Sequence, residues 1–122
     1  MPDVMRNYVA GAWRPSVSAE GLDVTNPATA SAIARVPLSG PAEVDEVVEA
    51  AVDAFQAWRR LPPTDRVQCL FRLKSLLEDH VDEIARFVTE ECGKTLEESV
   101  GELRRAIENV EVACGIPILL QG

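Results

Sequence analysis

The sequence predicts an α+β fold that is mainly helical, with about four amphipathic helices behind a small N-terminal antiparallel β element. From about residue 40 to residue 116, apolar side chains recur at the three- and four-residue steps of amphipathic helices. Between about residues 7 and 36, short alternating segments are separated by glycine and proline, as in paired strands. Because the 122 residues contain no repeat or linker, we expect a single structural unit, 1–122.

The β element is expected to contain a hairpin and two further strands. Strands near residues 7–10 and 12–14 flank Gly11, which accepts the positive φ of a tight turn. The segment 22–26 alternates before a proline, and a partner strand covers residues 32–36. Because a few short strands are only marginally stable, we expect the helices to cover this sheet.

The first helix is predicted to begin at Ser39-Gly40-Pro41, since the missing amide of a first-turn proline costs no hydrogen bond. Acidic residues in its first turn favour the positive end of the helix dipole. Leu61-Pro62-Pro63 is expected to end it. The face predicted to be buried consists of Val44, Val47, Val48, Ala51, Ala54, Phe55 and Trp58.

The second and third helices follow from the same periodicity. The second is predicted to start at a cap formed by Thr64 or Asp65 and to run to about Asp79. The third covers about residues 81–92, with Gly93 placed as its C′ residue. Their buried faces are expected to contain Val67, Leu70, Phe71, Leu73, Leu77, Val81, Ile84, Ala85, Val88 and Cys92.

The last helix has a start signal and a stop signal. Thr95 and Glu98 have the spacing of a capping box, in which each side chain bonds the other residue's amide. Gly115 and Pro117 are expected to stop the helix. Short breaks between the helices indicate antiparallel neighbours in one helical layer. The apolar stripe of this helix is formed by Leu96, Val100, Leu103, Ile107, Val110 and Cys114.

Composition excludes several classes of partner. With 20 acidic and 12 basic residues, the net charge of −8 argues against binding to nucleic acid. No apolar run approaches the roughly 20 residues of a membrane span. The Met1-Pro-Asp start lacks the layout of a signal peptide, so the predicted location is the cytoplasm, without a membrane partner.

The cysteines and the histidine do not predict a reactive or metal-binding centre. Cys69, Cys92 and Cys114 lack disulfide or zinc spacing and are expected to be buried thiols. The neighbours of Cys114 offer no base that could hold a thiolate. His80 is expected to mark a helix boundary. No catalytic, cofactor-binding or metal-ligating residue is therefore predicted within this chain.

Several motifs together resemble the aldehyde dehydrogenase superfamily, and within it the CoA-acylating methylmalonate-semialdehyde dehydrogenases. They are Asn7–Trp13 as the opening hairpin, Asn26-Pro-Ala-Thr29 as a turn, Ala54–Trp58, Gly93-Lys94-Thr95, and Arg105–Gly115. Members of the superfamily are several times longer. Their coenzyme-binding sheet, nucleophilic cysteine and general-base glutamate follow the segment that is similar to this chain.

The resemblance implies the N-terminal part of such an enzyme and an incomplete piece of its fold. For the full-length protein it implies oxidation of an aldehyde to an acyl-CoA, with NAD and CoA as cofactors. For this chain alone it implies no catalytic activity.

Arg105 is the substrate-binding residue that the resemblance implies. In the methylmalonate-semialdehyde branch, the arginine of this pattern contacts the substrate carboxylate, and a planar guanidinium offers paired donors for that purpose. Periodicity alone favours an exposed helical arginine that pairs with Glu102, Glu108 or Asn109.

The segment Gly93-Lys94-Thr95 is superficially similar to the end of a phosphate-binding loop. Position 88, where that motif requires glycine, is a valine, and no strand is predicted before it. We therefore interpret the match as accidental.

A second hypothesis is a stand-alone helical interaction module. The chain has many apolar helix faces for its length, and residues 116–120 are all apolar. Such surfaces predict a homo-oligomer, or association with a complementary aldehyde dehydrogenase polypeptide.

Overall fold

The computed structural model describes residues 3–122, which divide into two compact units. The first unit ends at Arg59 and contains the strands and the first helix, whereas the second, from Arg60 to Gly122, contains the other helices. The mainly helical α+β class is confirmed. The first helix lies with the strands, although the sequence groups it with the helical layer. That residues 1–122 form a single unit stays a prediction.

Five short strands are described in the first unit: β1 (Asp3–Val4), β2 (Asn7–Val9), β3 (Ala12–Arg14), β4 (Gly21–Thr25) and β5 (Ala32–Pro37). β2 and β3 form the predicted antiparallel hairpin. β4 and β5 pair antiparallel, and β1 joins the other edge of β5 in parallel. This parallel pair is not predicted from the sequence, because two residues are too short to show an alternating pattern.

Each antiparallel strand pair, β2 with β3 and β4 with β5, is connected by a turn. Ala10 and Gly11 have φ values of 50° and 81°, so the predicted positive φ at Gly11 is confirmed and its neighbour shares it. In the turn between β4 and β5, the side-chain oxygen of Asn26 accepts a hydrogen bond from the amide of Ala28 at 2.9 Å. Ala30 then takes a φ of 57°. The Asn-Pro-Ala-Thr segment is thus a closed turn that sets the register of the two strands.

The first helix, α1 (Pro41–Trp58), begins at the predicted proline. The carboxylate of Glu43 accepts hydrogen bonds from the Ser16 hydroxyl at 2.9 Å and from the amides of Val17 and Gly40 at 3.2 Å each. These bonds, chiefly that from Ser16, lower the pKa of Glu43. Glu43 therefore joins the loop between β3 and β4 to the start of α1, which explains why this helix groups with the strands.

The apolar face of α1 is exposed. Trp58 is 43% exposed, and none of the residues of α1 is buried. The prediction that this face is buried is therefore wrong. Periodicity identifies which side of a helix is apolar but not what covers it, and five short strands supply little apolar surface. The exposed residues include Val44, Val47, Val48, Ala51, Ala54, Phe55 and Trp58.

The second unit contains α2 (Pro63–Arg66), α3 (Gln68–Asp79), α4 (Val81–Cys92), α5 (Leu96–Cys114) and α6 (Ile116–Leu119). The three long helices lie where helices are predicted, and α4 and α5 also match the predicted lengths. The predicted second helix is divided into α2 and α3, and α6 follows the predicted end of the last helix.

The start of α2 corrects the predicted cap. Pro62 occupies the N-cap position, and its carbonyl accepts hydrogen bonds from the amides of Asp65 and Arg66 at 3.0 and 3.1 Å. Neither Thr64 nor Asp65 caps the helix, because Pro63 already provides a first-turn residue with a suitable φ.

The other helix ends follow the predicted signals in part. Gly93 takes a left-handed φ of 71° after α4, and His80 separates α3 from α4, as expected. Gly115 keeps a helical φ of −80°, so the chain turns directly into α6. Pro117 lies in the first turn of α6, where a missing amide costs no hydrogen bond.

The core of the second unit is centred on α5, which packs against both α3 and α4. Among the described residues of this unit, the buried apolar side chains are Val67, Ala85, Leu103 and Ile107. Several residues of the predicted stripes remain exposed: Phe71, Leu73, Cys92 and Leu96.

The cysteines also differ from expectation. Cys69 and Cys92 are exposed and Cys114 is half-buried, so the prediction of buried thiols is wrong for the first two. Cys69 lies where the guanidinium of Arg72 donates to its sulfur at 3.3 Å. A thiol this close to a charged group occupies the solvated side of α3.

Candidate functional site

The site is built on α5, whose start is held by the predicted capping box. The amide of Glu98 donates to Oγ1 of Thr95 at 3.2 Å, and the Glu98 carboxylate accepts from the amide and the hydroxyl of Thr95 at 3.0 and 2.9 Å. These bonds, chiefly that from the Thr95 amide, lower the pKa of Glu98. The first turn of α5 is therefore rigidly connected to the loop before it.

A buried serine connects α5 to α4. Ser99 is 0% exposed, and its hydroxyl donates to the carbonyl of Thr95 at 3.1 Å. The Thr89 hydroxyl on α4 lies 2.9 Å from Oγ of Ser99, and it acts as the donor because the serine proton is already used. Sequence analysis does not identify Ser99, because a polar residue is not counted in an apolar stripe. Its only sequence signal is a helical step of four residues before Leu103.

Arg105 lies on the solvent side of the same helix. It is exposed, whereas Leu103 and Ile107, two residues to either side of it, are buried. A step of two residues corresponds to about 200° around a helix, which places Arg105 opposite the core. Within the part of the chain that the structure describes, residues 3–122, its guanidinium forms no ion pair with Glu102 or Glu108 and no hydrogen bond with Asn109. Its role in substrate binding stays a prediction.

A lysine in the loop between α4 and α5 engages the acidic neighbour of Arg105. The ammonium of Lys94 donates a hydrogen bond to the carboxylate of Glu102 and forms an ion pair with it. This bond is the largest cause that raises the pKa of Lys94 and lowers the pKa of Glu102; the charge of Arg105 adds a smaller contribution to the latter. Sequence reasoning does not find the pair, because Lys94 precedes the N-cap of α5 whereas Glu102 lies within the helix, and helical spacing rules do not apply across the cap.

The hydrogen bonds of Gly93-Lys94-Thr95 bear on its superficial similarity to a phosphate-binding loop. The amide of Gly93 donates to the carbonyl of Thr89 at 2.9 Å, and the amide of Thr95 donates to Glu98. These two amides and the Lys94 ammonium therefore all have partners within the chain.

A separate open depression of about 610 Å³ lies at the turn between α3 and α4. His80 and Glu83 both line it, and Nδ1 of His80 lies 2.8 Å from the carboxylate of Glu83. Arg104, rather than Arg105, reaches this depression. Within residues 3–122 no cluster of three or more histidine, cysteine or acidic side chains is arranged to hold a metal ion. None of the described helices is long and apolar enough to cross a membrane.

Comparison with known proteins identifies the family. The family model described as "Aldehyde dehydrogenase family" matches residues 13–122. The chain belongs to the aldehyde dehydrogenase family. It is 47% identical over 118 residues, 97% of its length, to malonate-semialdehyde dehydrogenase 3 of Geobacillus kaustophilus, of which it covers 24%. It is 49% identical over 100 residues, 82% of its length, to malonate-semialdehyde dehydrogenase of Pseudomonas aeruginosa, of which it covers 20%.

Solved aldehyde dehydrogenase structures share the fold. A protein described as a methylmalonate-semialdehyde dehydrogenase from Sinorhizobium meliloti, in complex with NAD, superposes with a TM-score of 0.91 at 28% identity. The methylmalonate-semialdehyde dehydrogenase of Oceanimonas doudoroffii gives 0.83 at 39% identity. Each match covers 98% of this chain and 24% of the other. The chain therefore spans about a quarter of the length of these relatives, and the resemblance inferred from its motifs is confirmed.

Proposed function

We propose that this chain forms the amino-terminal segment of a cytoplasmic, NAD-dependent semialdehyde dehydrogenase that oxidises malonate semialdehyde or methylmalonate semialdehyde to an acyl-CoA. The identity of 47% with a malonate-semialdehyde dehydrogenase supports this substrate class. Both substrates carry a carboxylate besides the aldehyde, so an enzyme that selects them needs a cationic group away from the reacting carbon.

Arg105 is the residue that we assign to this carboxylate. The observation that carries the assignment is its exposed guanidinium on the solvent side of α5, with no acidic partner in the described chain. An arginine can donate two parallel hydrogen bonds to one carboxylate, which gives orientation as well as affinity. The rigid attachment of α5 through Ser99 and the capping box would keep that guanidinium in a fixed position.

Residues 1–122 alone are proposed to be inactive. Aldehyde oxidation by this family requires an activated nucleophile, donors for an oxyanion, a general base and a cradle for the coenzyme. In the described residues, Gly93-Lys94-Thr95 has its donors bonded within the chain, and Cys114 has no neighbouring base. NAD and CoA would therefore be held by the remainder of a longer enzyme.

A hybrid enzyme tests the substrate assignment. Residues 1–122 replace the matching segment of malonate-semialdehyde dehydrogenase 3 of G. kaustophilus, and NADH formation is followed with malonate semialdehyde and with propanal, which lacks a carboxylate. In the hybrid, Arg105→Leu should raise KM for malonate semialdehyde about ten- to a hundredfold, because a hydrogen bond to a charged group contributes about 1.5–3 kcal/mol. The KM for propanal should not rise.

Arg104→Leu is the matched control, since Arg104 is the adjacent exposed arginine of α5 but lines the depression at the turn between α3 and α4. An unchanged KM for malonate semialdehyde in Arg105→Leu would contradict the assignment. NADH formation by the purified 122-residue chain would contradict its proposed inactivity.

Self-association is a second candidate function. It is favoured by the exposed apolar face of α1 and by Ile118, Leu119 and Leu120, which are 74%, 71% and 67% exposed. Such surfaces commonly mark contacts with another polypeptide, here a second copy or a complementary aldehyde dehydrogenase chain. A sedimentation coefficient that rises with concentration would support this function.

A further inference from the structure

Glu102 is the carboxylate that is best placed to compete with a substrate for Arg105. It lies three residues before Arg105, so the two side chains are neighbours on the surface of α5. An acidic residue ahead of a basic one is also the favourable order for a helical ion pair. In an isolated helix, we would therefore expect Glu102 to pair with Arg105 and to occupy the donors that a substrate carboxylate needs.

In the structure, Glu102 pairs with Lys94 instead. The Lys94 ammonium binds the Glu102 carboxylate, whereas Arg105 has no ion pair with any acidic residue in the range 3–122. Long side chains on a helix lean towards its N-terminus, so Glu102 can reach back to the loop that carries Lys94. Position 101 is a glycine, and a Cβ added there would meet no heavy atom within 4 Å. The helix surface at Gly101, about one turn before Arg105, is therefore open.

The position of Lys94 is electrostatically unfavourable apart from its contact with Glu102. It lies just before the N-terminus of α5, where the helix dipole disfavours a cation. The pKa of Lys94 is nevertheless raised, with the hydrogen bond to Glu102 as the largest cause. The contact with Glu102 therefore favours the charged form of Lys94 at this position. Glu108, three residues after Arg105, has the less favourable order and no such lysine partner in the described chain.

We propose that Lys94 is a positioning residue that holds Glu102 away from Arg105 and so keeps the guanidinium free for a carboxylate-bearing aldehyde. The inference rests on the proposed function, because it concerns the same substrate group. It adds a residue outside α5 to the determinants of substrate selection.

The first test needs no enzymatic activity. The Glu102 carboxyl is titrated by NMR in the 122-residue chain and in Arg105→Leu, Lys94→Met and the double variant. Arg105→Leu should raise the pKa of Glu102 only slightly when Lys94 is present, because the charge of Arg105 is a minor cause of the lowered pKa. It should raise this pKa much more in the Lys94→Met background, where the Glu102–Arg105 pair can form. An equal rise of this pKa in both backgrounds would overturn the proposal.

The second test uses the hybrid enzyme. Lys94→Met should raise KM for malonate semialdehyde about two- to fivefold, the effect of one surface ion pair, without lowering kcat. Adding Glu102→Gln should restore the original KM, because the competing carboxylate is removed. Adding Glu108→Gln, which removes the same charge from the other side of Arg105, should not restore it.

The variants Arg105→Leu and Lys94→Met distinguish a failure of the proposed function from a failure of the role of Lys94. If Arg105→Leu leaves KM unchanged, the proposed function fails. If Arg105→Leu raises KM but Lys94→Met does not, or if Glu108→Gln rescues as well as Glu102→Gln, only the role of Lys94 is refuted.

Discussion

Thr95 and Glu98 hold the start of α5 through reciprocal hydrogen bonds. Removing these bonds should lower the free energy of unfolding by a measurable amount. Thr95→Ala should lower the free energy of unfolding by about 1 kcal/mol at neutral pH, the usual effect of a lost N-cap. Glu98→Gln should act on the same contact, so the two changes should be less than additive in a double-mutant cycle. Urea unfolding followed by circular dichroism measures both. Fully additive effects would show that the box is not formed.

The same carboxylate predicts a pH dependence. The pKa of Glu98 is lower in the folded chain than its ordinary value of 4.5, so the ionised form stabilises the fold above that value. This stabilisation should be lost as pH falls below 4.5 and through the lower folded pKa. Glu98→Gln should lose less stability over this interval than the parent chain. Identical pH profiles of unfolding for the parent chain and Glu98→Gln would contradict this role of the Glu98 carboxylate.

Residue-scale contacts also limit what sequence analysis could find. The capping box has a recognisable spacing within one helix, so it was predictable. The Lys94–Glu102 pair joins a loop to the second turn of a helix, and Ser99 is a polar residue in a buried position. The pair has no periodic signature, and the four-residue step from Ser99 to Leu103 does not distinguish a buried serine from an exposed one. Both features require the packed geometry of α4 and α5.

At the scale of elements, the hydrogen bond between Thr89 and Ser99 should stabilise the pairing of α4 with α5. Ser99→Ala removes the acceptor of the Thr89 hydroxyl, which is then left without a partner in a half-buried position. We expect a loss of about 1–3 kcal/mol in the free energy of unfolding. Ser75→Ala, an exposed serine of α3, is the control and should be neutral. Equal stability of both variants would contradict this role.

Helix positions were more predictable than helix surroundings. The apolar spacing located α1, α3, α4 and α5 correctly, because each has several turns of regular pattern. The short α2 and α6 have four residues each and cannot show a full period. The burial of the α1 face was wrongly predicted, because a pattern reports an apolar side and not the surface that packs on it.

For the whole molecule, the exposed apolar residues at the end of the chain predict association. Sedimentation of the 122-residue chain over a range of concentrations should show a species larger than 13.3 kDa. The variant Ile118→Asp with Leu120→Asp should shift it towards the monomer, because charges are costly in an apolar interface. Val17→Asp changes a residue that is 90% exposed in the first unit and serves as the control. A monomer at every concentration would exclude self-association.

The parallel pairing of β1 with β5 has a consequence for the order of folding. It joins Asp3 to Ala34, so a long loop must close before the contact forms, whereas β4 and β5 are connected by one short turn. Loop-closure entropy rises with loop length, and local contacts therefore form sooner. We expect the β4–β5 hairpin to act as the template on which β1 is added late. The open edge of β5 would then be accessible to other strands during the interval, a kinetic window in which mispairing competes with native pairing.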